Sequence, residues 1–551
     1  MSEGFASVFY SEPSVLGLLA NVISAFYVAL QNFAEAATGQ AATGVENTLA
    51  GVHLIMIGGV VQLLAGLLTF RKYEHLAGTT FLAFSALWSS YGTTRIIAGA
   101  YKHLILGGNS TAAAQISEAV VAGLVAYTGV AFVVSFCSAT SNYIMPFVFG
   151  AITVTLVFEA VGLFATWALV VAGVAQLVIV LFGLYGAVAL LLKGIYQRHV
   201  LPGFGNALFD VLLLGARIKP SQRRQASRGE DEEEKKKNSK YAEPMALGNM
   251  SDVVSATILA FYCFCYMPSF LVGVLWVSLN ATAQLLASYY AYLRNDVFYG
   301  TKFALHCAYW LVQAWEAFVV SMFLGGEGEG VSRARSGMLG GWFFLVAALL
   351  LCLLSLSRDK TELVQNSLFT LLTFSTLPQI PRGSCSLFFG VASSLYALFC
   401  LYVSFISLVN SIAEKVLLPL GVRLVSAPRL QGALFRLKRR LCHAQDMPPL
   451  GGPLDHRAQL PDSLFFLCNG LAALSALQPS LPDSQRSHLA VPWVLIPGTL
   501  VQLYVSRLQV RGGRRFGPTL PFSYAAVWAG WTWLRFAGKT FPWLSHLPLY
   551  F

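Results

Sequence analysis

The sequence predicts an all-α polytopic membrane protein, and three observations carry that reading. Of 551 residues, 56% are apolar and only 11% are Asp, Glu, Lys or Arg, against roughly 25% charged residues in soluble globular proteins. Apolar stretches of about 20 residues recur along most of the chain, each long enough to cross the hydrocarbon of a bilayer as a helix. The chain also carries 39 Phe, 22 Tyr and 11 Trp, too much apolar surface for a solvated, disordered polypeptide. An ordinary soluble enzyme is excluded.

About 15 transmembrane helices are expected. The first six lie at about 13–34, 49–70, 76–99, 117–137, 143–165 and 168–193. A charged stretch, Arg217 to Lys240, follows with nine basic and five acidic residues. Six more spans fall at about 244–266, 268–293, 299–324, 337–356, 362–380 and 385–411, then a basic, Pro-containing segment, then three spans at about 462–479, 491–508 and 518–537. The expected organisation is a first six-helix unit at 1–216, a charged linker at 217–242, a second six-helix unit at 243–421, a basic linker at 422–460 and a partial third unit of three helices at 461–551.

Internal similarity motivates the units. Glu12-Pro13-Ser14-Val15-Leu16-Gly17 recurs as Glu243-Pro244-Met245-Ala246-Leu247-Gly248, and Gly51 to Trp88 aligns without a gap on Gly273 to Trp310 with 11 identities in 38 positions. Those identities include Gln62 with Gln284, Thr79 with Thr301 and Trp88 with Trp310. Apolar composition alone would match leucines, but not a Gln and a Trp in register. Gln62, Thr79, Trp88 and Arg95 reappear 440 residues later as Gln502, Thr519, Trp528 and Arg535.

The net charge of +11 sits mostly in short segments between spans, so it predicts cytoplasmic loops facing a lipid bilayer and not a nucleic-acid surface. With the N-terminus inside, Arg71-Lys72, Arg294, Arg358, Lys360, Arg511 and both linkers fall on the cytoplasmic side. The start has no basic segment ahead of its first apolar stretch and no clear cleavage site, which predicts a retained span. The plasma membrane is expected over an organelle. The sequon at Asn109 then lies outside and is a glycosylation candidate, whereas Asn280-Ala281-Thr282 falls within a span. Nine scattered cysteines indicate neither a disulfide framework nor a metal site. No P-loop, HExxH, GxSxG or dinucleotide fingerprint is present in the required context, so no enzymatic activity and no cofactor is expected.

Polar residues inside spans are the candidates for chemistry. Gln62 and Gln284, flanked by small residues, suit a hydrogen bond between helices or a pore lining. Asp252, several residues inside a span, is protonated, paired, part of a proton relay, or shallow enough to reach interfacial water. His53, Arg95 and Glu159 lie near the outer face of the first unit. Arg95 either concentrates anions at the pore mouth or snorkels to the headgroups, and Glu159, lying deeper, is a pairing partner for it. Pro13, Pro244 and Pro461 open spans, where a missing N–H costs nothing.

Gly58-Gly59-x-x-Gln62-x-x-Ala65-Gly66, then Thr79, Phe81 and Trp88, and Tyr185 with Leu201-Pro202-Gly203, resemble the acetate uptake transporter family, the YaaH-like short-chain monocarboxylate permeases. The likeness covers both complete units and the first half of the third, a tandem repeat. EPSVLG, EPMALG and LPDSLF stand where the family has NPAPLGL, and the family's acidic residue after AG is here Thr69, Ala291 and Gln509. The resemblance implies six helices per unit and a pore narrowed at two places. Those positions are Asn21, Asp252 and Asn469 for the first and Phe84, His306 and Tyr524 for the second, with His306 the natural partner of Asp252. It implies transport or channelling of a small organic anion such as acetate, possible proton coupling, and self-association into a pseudo-symmetric oligomer. The alternative is a non-transporting membrane scaffold or sensor that retains the permease fold.

Overall fold

The computed structural model describes residues 12–101 apart from 41, 112–196, 198, 200–204, 207–208, 241–323, 338–377, 382–414, 416–436 apart from 427, 431 and 434, 461–477, 486–511 and 517–540. The sequon at Asn109 and most of both linkers lie outside the described residues. A helix stands at each of the fifteen expected positions. Nine of the described helices are long and apolar enough to cross a membrane. By its internal contacts the chain divides into a first unit, residues 1–294 with 397–418, and a second, 295–396 with 419–551.

The first unit opens with α1 (Pro13–Thr38), which has Pro at its first turn and ends at Gly39 in the left-handed region, φ 67°, with the cap N–H on the Glu35 carbonyl. Next comes α2, Gly44–Arg71, started by a capping box in which Thr43 and Glu46 satisfy each other's backbone N–H. Between Leu54 and Val61 this helix widens into π-type turns, ending immediately before Gln62. α3 (His75–Ile96) continues through a further π turn to Tyr101. α4 (Ala112–Ser138), α5 (Met145–Gly162) and α6 (Thr166–Tyr196) complete six helices, with α6 packed on both α1 and α5.

α2 and α3 approach closely. A Cβ at Gly51 would collide with the Gly92 carbonyl, and one at Gly58 with the Trp88 ring, so glycine is needed for the helices to meet. Two more helices, α7 (Met245–Cys263) and α8 (Gly273–Leu293), pack on α3 and α4. Pro244 and Pro461 each precede their helix by one residue, in contrast to Pro13, which lies inside the first turn. Asn280 is inside α8, its amide donating to the Ser251 carbonyl at 2.8 Å and to Ser255 Oγ at 2.9 Å.

The second unit contains α9 (Val297–Phe323), α10 (Met338–Ser355), α11 (Lys360–Ser375), the first part of α12 (Arg382–Ala413), α13 (Asp462–Ala476), α14 and α15 (Thr519–Thr540). α14 runs from Arg486 to Leu495, passes through π turns at Ile496–Leu500 and resumes as Val501–Arg511. At its core Lys302 Nζ lies 2.7 Å from Glu362 Oε2 and 2.9 Å from Gln365 Oε1, and neither charged side chain has any exposure.

Candidate functional site

The site is built at the centre of the first six helices. α3 is buried along most of its length and runs from one end of the bundle to the other. At its start Glu74 accepts from Ser14 Oγ at the start of α1, 2.6 Å. At its end Arg95 reaches Asn47, at 2.9 Å, and Glu35, at 3.7 Å. Because α3 faces other helices and not lipid, it can carry Ser, Thr, Tyr and Arg where its neighbours need Leu and Val.

At the α3 start lies a cavity of about 980 Å3, walled by Glu12, Ser14, Glu74, His75, Lys193 and Glu414 among others. Lys193 pairs with Glu12 at 3.2 Å. His75, ahead of the apolar stretch, accepts the Glu243 backbone N–H on Nδ1 at 2.9 Å. Burial, helped by the charge of Arg294, lowers its pKa from 6.5 to about 4, so it is neutral at physiological pH. The Leu201-Pro202-Gly203 segment closes one wall of this mouth. Tyr185 Oη donates to the Pro202 carbonyl at 2.9 Å, and the Tyr143 N–H reaches the Gly203 carbonyl at 3.3 Å. Gly203 has φ 122°, and a Cβ there would strike Ile144. The Tyr and the Pro-Gly of that motif therefore dock the end of α6 onto the turn between α4 and α5.

Deeper in the bundle is a small cavity of about 30 Å3, with Asn21, Phe84, Trp88, Tyr91, Thr155 and Glu159 in its wall. Phe149 faces the mouth and Phe84 the centre, and their rings stack at 5.8 Å, so this pair stands between the two cavities. Both expected constriction residues of the first unit are thus brought together: Asn21 Oδ1 accepts from Trp88 Nε1 at 3.1 Å, and Phe84 is buried beside them. Gln62 is fully buried within α2, and its Oε1 has no hydrogen-bond donor.

Glu159 anchors the far side of the central cavity. Its Oε1 accepts from Asn32 Nδ2 and, at 3.0 Å, from Gln176 Nε2, while Oε2 accepts from Tyr91 Oη at 3.2 Å. Arg95 does not bond Glu159 directly. Its guanidinium donates to the Tyr91 oxygen at 2.7 Å, so the expected Arg95–Glu159 pair is bridged by a tyrosine. With Asn47 and Glu35 holding the same guanidinium, Arg95 is tied to the bundle and not spread toward headgroups. Tyr91, Asn32 and Gln176 were not singled out from the sequence; the signal for two of them was an amide inside an apolar span.

The remaining expected residues do not line this cavity. Asp252 is buried in α7 and accepts from Gln284 Nε2 at 2.6 Å, with Gln284 Oε1 left without a donor. His53 stacks on Tyr27 at 4.7 Å. In the second unit His306 stacks on Phe369 at 3.9 Å, with its Nδ1 3.2 Å from Tyr396 Oη. Asn469 Oδ1 accepts from Trp528 Nε1 at 2.8 Å, the same donor and acceptor types as Asn21 and Trp88. Tyr524 packs on Phe465 and is partly exposed.

Comparison with known proteins falls on this bundle: residues 6–200, which hold all six of its helices, match the model of the GPR1/FUN34/yaaH family. No curated protein and no solved structure matches the chain. In this bundle the Gly58-Gly59 and Gln62 stretch forms the α2–α3 contact, and Tyr185 with Pro202-Gly203 forms the docking of α6. The protein is an integral, multi-pass membrane protein, and the family that residues 6–200 match is one of transporters for acetate-like molecules.

Proposed function

We propose that the first six helices form a transporter or channel for small monocarboxylates such as acetate, with no enzymatic activity. The observation that carries the reading is the coincidence of the family match with the paired cavities: the matched residues enclose a polar centre holding Asn21 and Glu159, set behind the stacked rings of Phe84 and Phe149. Proton coupling belongs to the same proposal, with Asp252 as an ionisable group, as do tandem units at 1–216, 243–421 and 461–551. The recurrence of the Asn–Trp hydrogen bond at Asn469 and Trp528 supports the third of these. The positive-inside distribution supports a cytoplasmic N-terminus in the plasma membrane, and fused copies support a pseudo-symmetric oligomer.

Uptake of labelled acetate into proteoliposomes, with and without a pH gradient, tests the reading. Protein-dependent uptake is expected, and Asp252→Asn is expected to abolish its dependence on the gradient. A properly folded protein that carries no solute would leave the alternative, a scaffold or sensor, which is favoured by the loss of NPAPLGL to EPSVLG at the head of α1.

A further inference from the structure

We propose that Glu159 is a selectivity element of the first bundle, turning back carboxylate anions and admitting uncharged molecules of the same size. This rests on the reading of the bundle as a solute path and names the species that path accepts.

Three donors, from Asn32, Gln176 and Tyr91, converge on the Glu159 oxygens. An acceptor-only carboxylate is what that donor set calls for. Its side chain is 6% exposed and forms part of the central wall. One turn earlier on α5, Thr155 lines the same cavity, also 6% exposed, and its hydroxyl has no hydrogen-bond partner. A carboxylate that accepts and a hydroxyl that donates or accepts suit a solute offering both an acidic hydrogen and a carbonyl oxygen, such as an undissociated carboxylic acid or a primary amide.

Among the described residues no cation lies in the cavity wall itself, and Arg95 reaches the carboxylate only through the Tyr91 hydroxyl. The groups facing Glu159 are Asn32 and, beyond it, Glu35 from α1; Tyr91 and Arg95 from α3; and Gln176 from α6, while α4 presents Leu124. The one cation among them, Arg95, donates to Tyr91 and Asn47 and pairs with Glu35. The mouth has the same sign. Its charged wall is Glu12, Glu74 and Glu414 against Lys193, and Lys193 is bound to Glu12. A carboxylate anion entering from the mouth would meet three acidic side chains against one lysine and then be placed against a fourth carboxylate in a low-dielectric interior, where like charges repel far more strongly than in water. An uncharged isostere meets no such penalty.

The test uses the full-length protein in liposomes and compares acetamide entry, followed by vesicle swelling, with labelled acetate uptake and the accompanying current. Wild type is expected to pass acetamide, and to take up acetate with no accompanying current. Glu159→Gln, which keeps one oxygen for the two amide donors and turns its N–H2 toward the Tyr91 oxygen, is expected to raise the ratio of acetate-anion flux to acetamide flux by about tenfold or more, as removal of an opposing charge in a low dielectric predicts. The inference is overturned, and transport retained, if wild type carries acetate as a current while excluding acetamide, or if a folded Glu159→Gln leaves the ratio unchanged. Should Glu159→Gln fail to fold, the wild-type comparison decides alone. Absence of both fluxes in folded wild type overturns the transport reading itself.

Discussion

Lys302 and Glu362 sit at the heart of the second unit with no exposed side-chain surface, 2.7 Å apart. Lys302 also donates to Gln365 at 2.9 Å, while Glu362 Oε1 receives no hydrogen bond. The pair is therefore well formed on one side and incompletely satisfied on the other. Removing one partner from a buried pair leaves a charge with nothing to offset its desolvation, a cost of about 3–5 kcal/mol. Lys302→Met is expected to destabilise by that amount, lowering the midpoint of thermal unfolding in detergent by on the order of 10 °C. Glu362→Met, which strands the ammonium beside Gln365, should cost a similar amount. The double variant removes both charges and fills the space with apolar atoms, so it should lie within about 1–2 kcal/mol of wild type or above it. The assay is a double-mutant cycle on melting midpoints. Two singles that each cost less than about 1 kcal/mol would show that the pair is solvated in the membrane-embedded protein and that the reasoning is mistaken. Additive losses in the double variant would refute it equally.

Two further outcomes are expected. Gly203→Val places a β-branched side chain at φ 122° against Ile144, and should cost about 1–3 kcal/mol in backbone strain alone, read as a lower melting midpoint and faster proteolysis after α6; an unchanged midpoint would mean that the 201–203 segment is not docked. His75, with its folded-state pKa pushed down to about 4, binds its proton in the unfolded chain first. Stability should therefore be full above about 6.5 and fall as pH drops toward 4; in His75→Asn this part of the decline should vanish, and melting curves that run parallel across that window would contradict it.

The fold was legible wherever lipid faces the helix. α1, α2, α4, α5 and α6 announce themselves because their outer surfaces must be apolar. α3 is different: it is enclosed by protein and its polar residues lower its hydropathy, so its apolar stretch at 76–99 gave its position but not its burial. Within the site, Asn21, Phe84 and Glu159 were expected and the structure gathers them around one cavity. The tyrosine between Arg95 and Glu159 was not expected, because two residues one helical turn apart on α3 give no hint in sequence that the hydroxyl of one intercepts the guanidinium of the other. The buried Lys302 also escaped notice. It lies only five residues from the start of α9, where a lysine ordinarily snorkels, and its partner is on a helix 60 residues away. The π turns of α2 and α14 fall at Gly58-Gly59 and at Pro497-Gly498 just after Pro492, residues that disturb the regular ladder, but which carbonyl each N–H selects there is not written in the sequence.

Six helices running end to end return the chain to the side from which it started, and the bonds at the mouth record it: Glu12, Glu74 and Lys193, drawn from the beginnings of α1 and α3 and the end of α6, share one rim. Glu243 arrives at that rim too, through its bond to His75. An even number of crossings gives the bundle a parity that survives concatenation. A further even-numbered bundle appended after Gly203 starts from the same face and inserts the same way up, so no adaptor helix is needed. An odd-numbered addition reverses that sense, sending whatever follows it to the opposite face. Sidedness is therefore a matter of counting, decided by how many helices a segment carries and not by any residue within them.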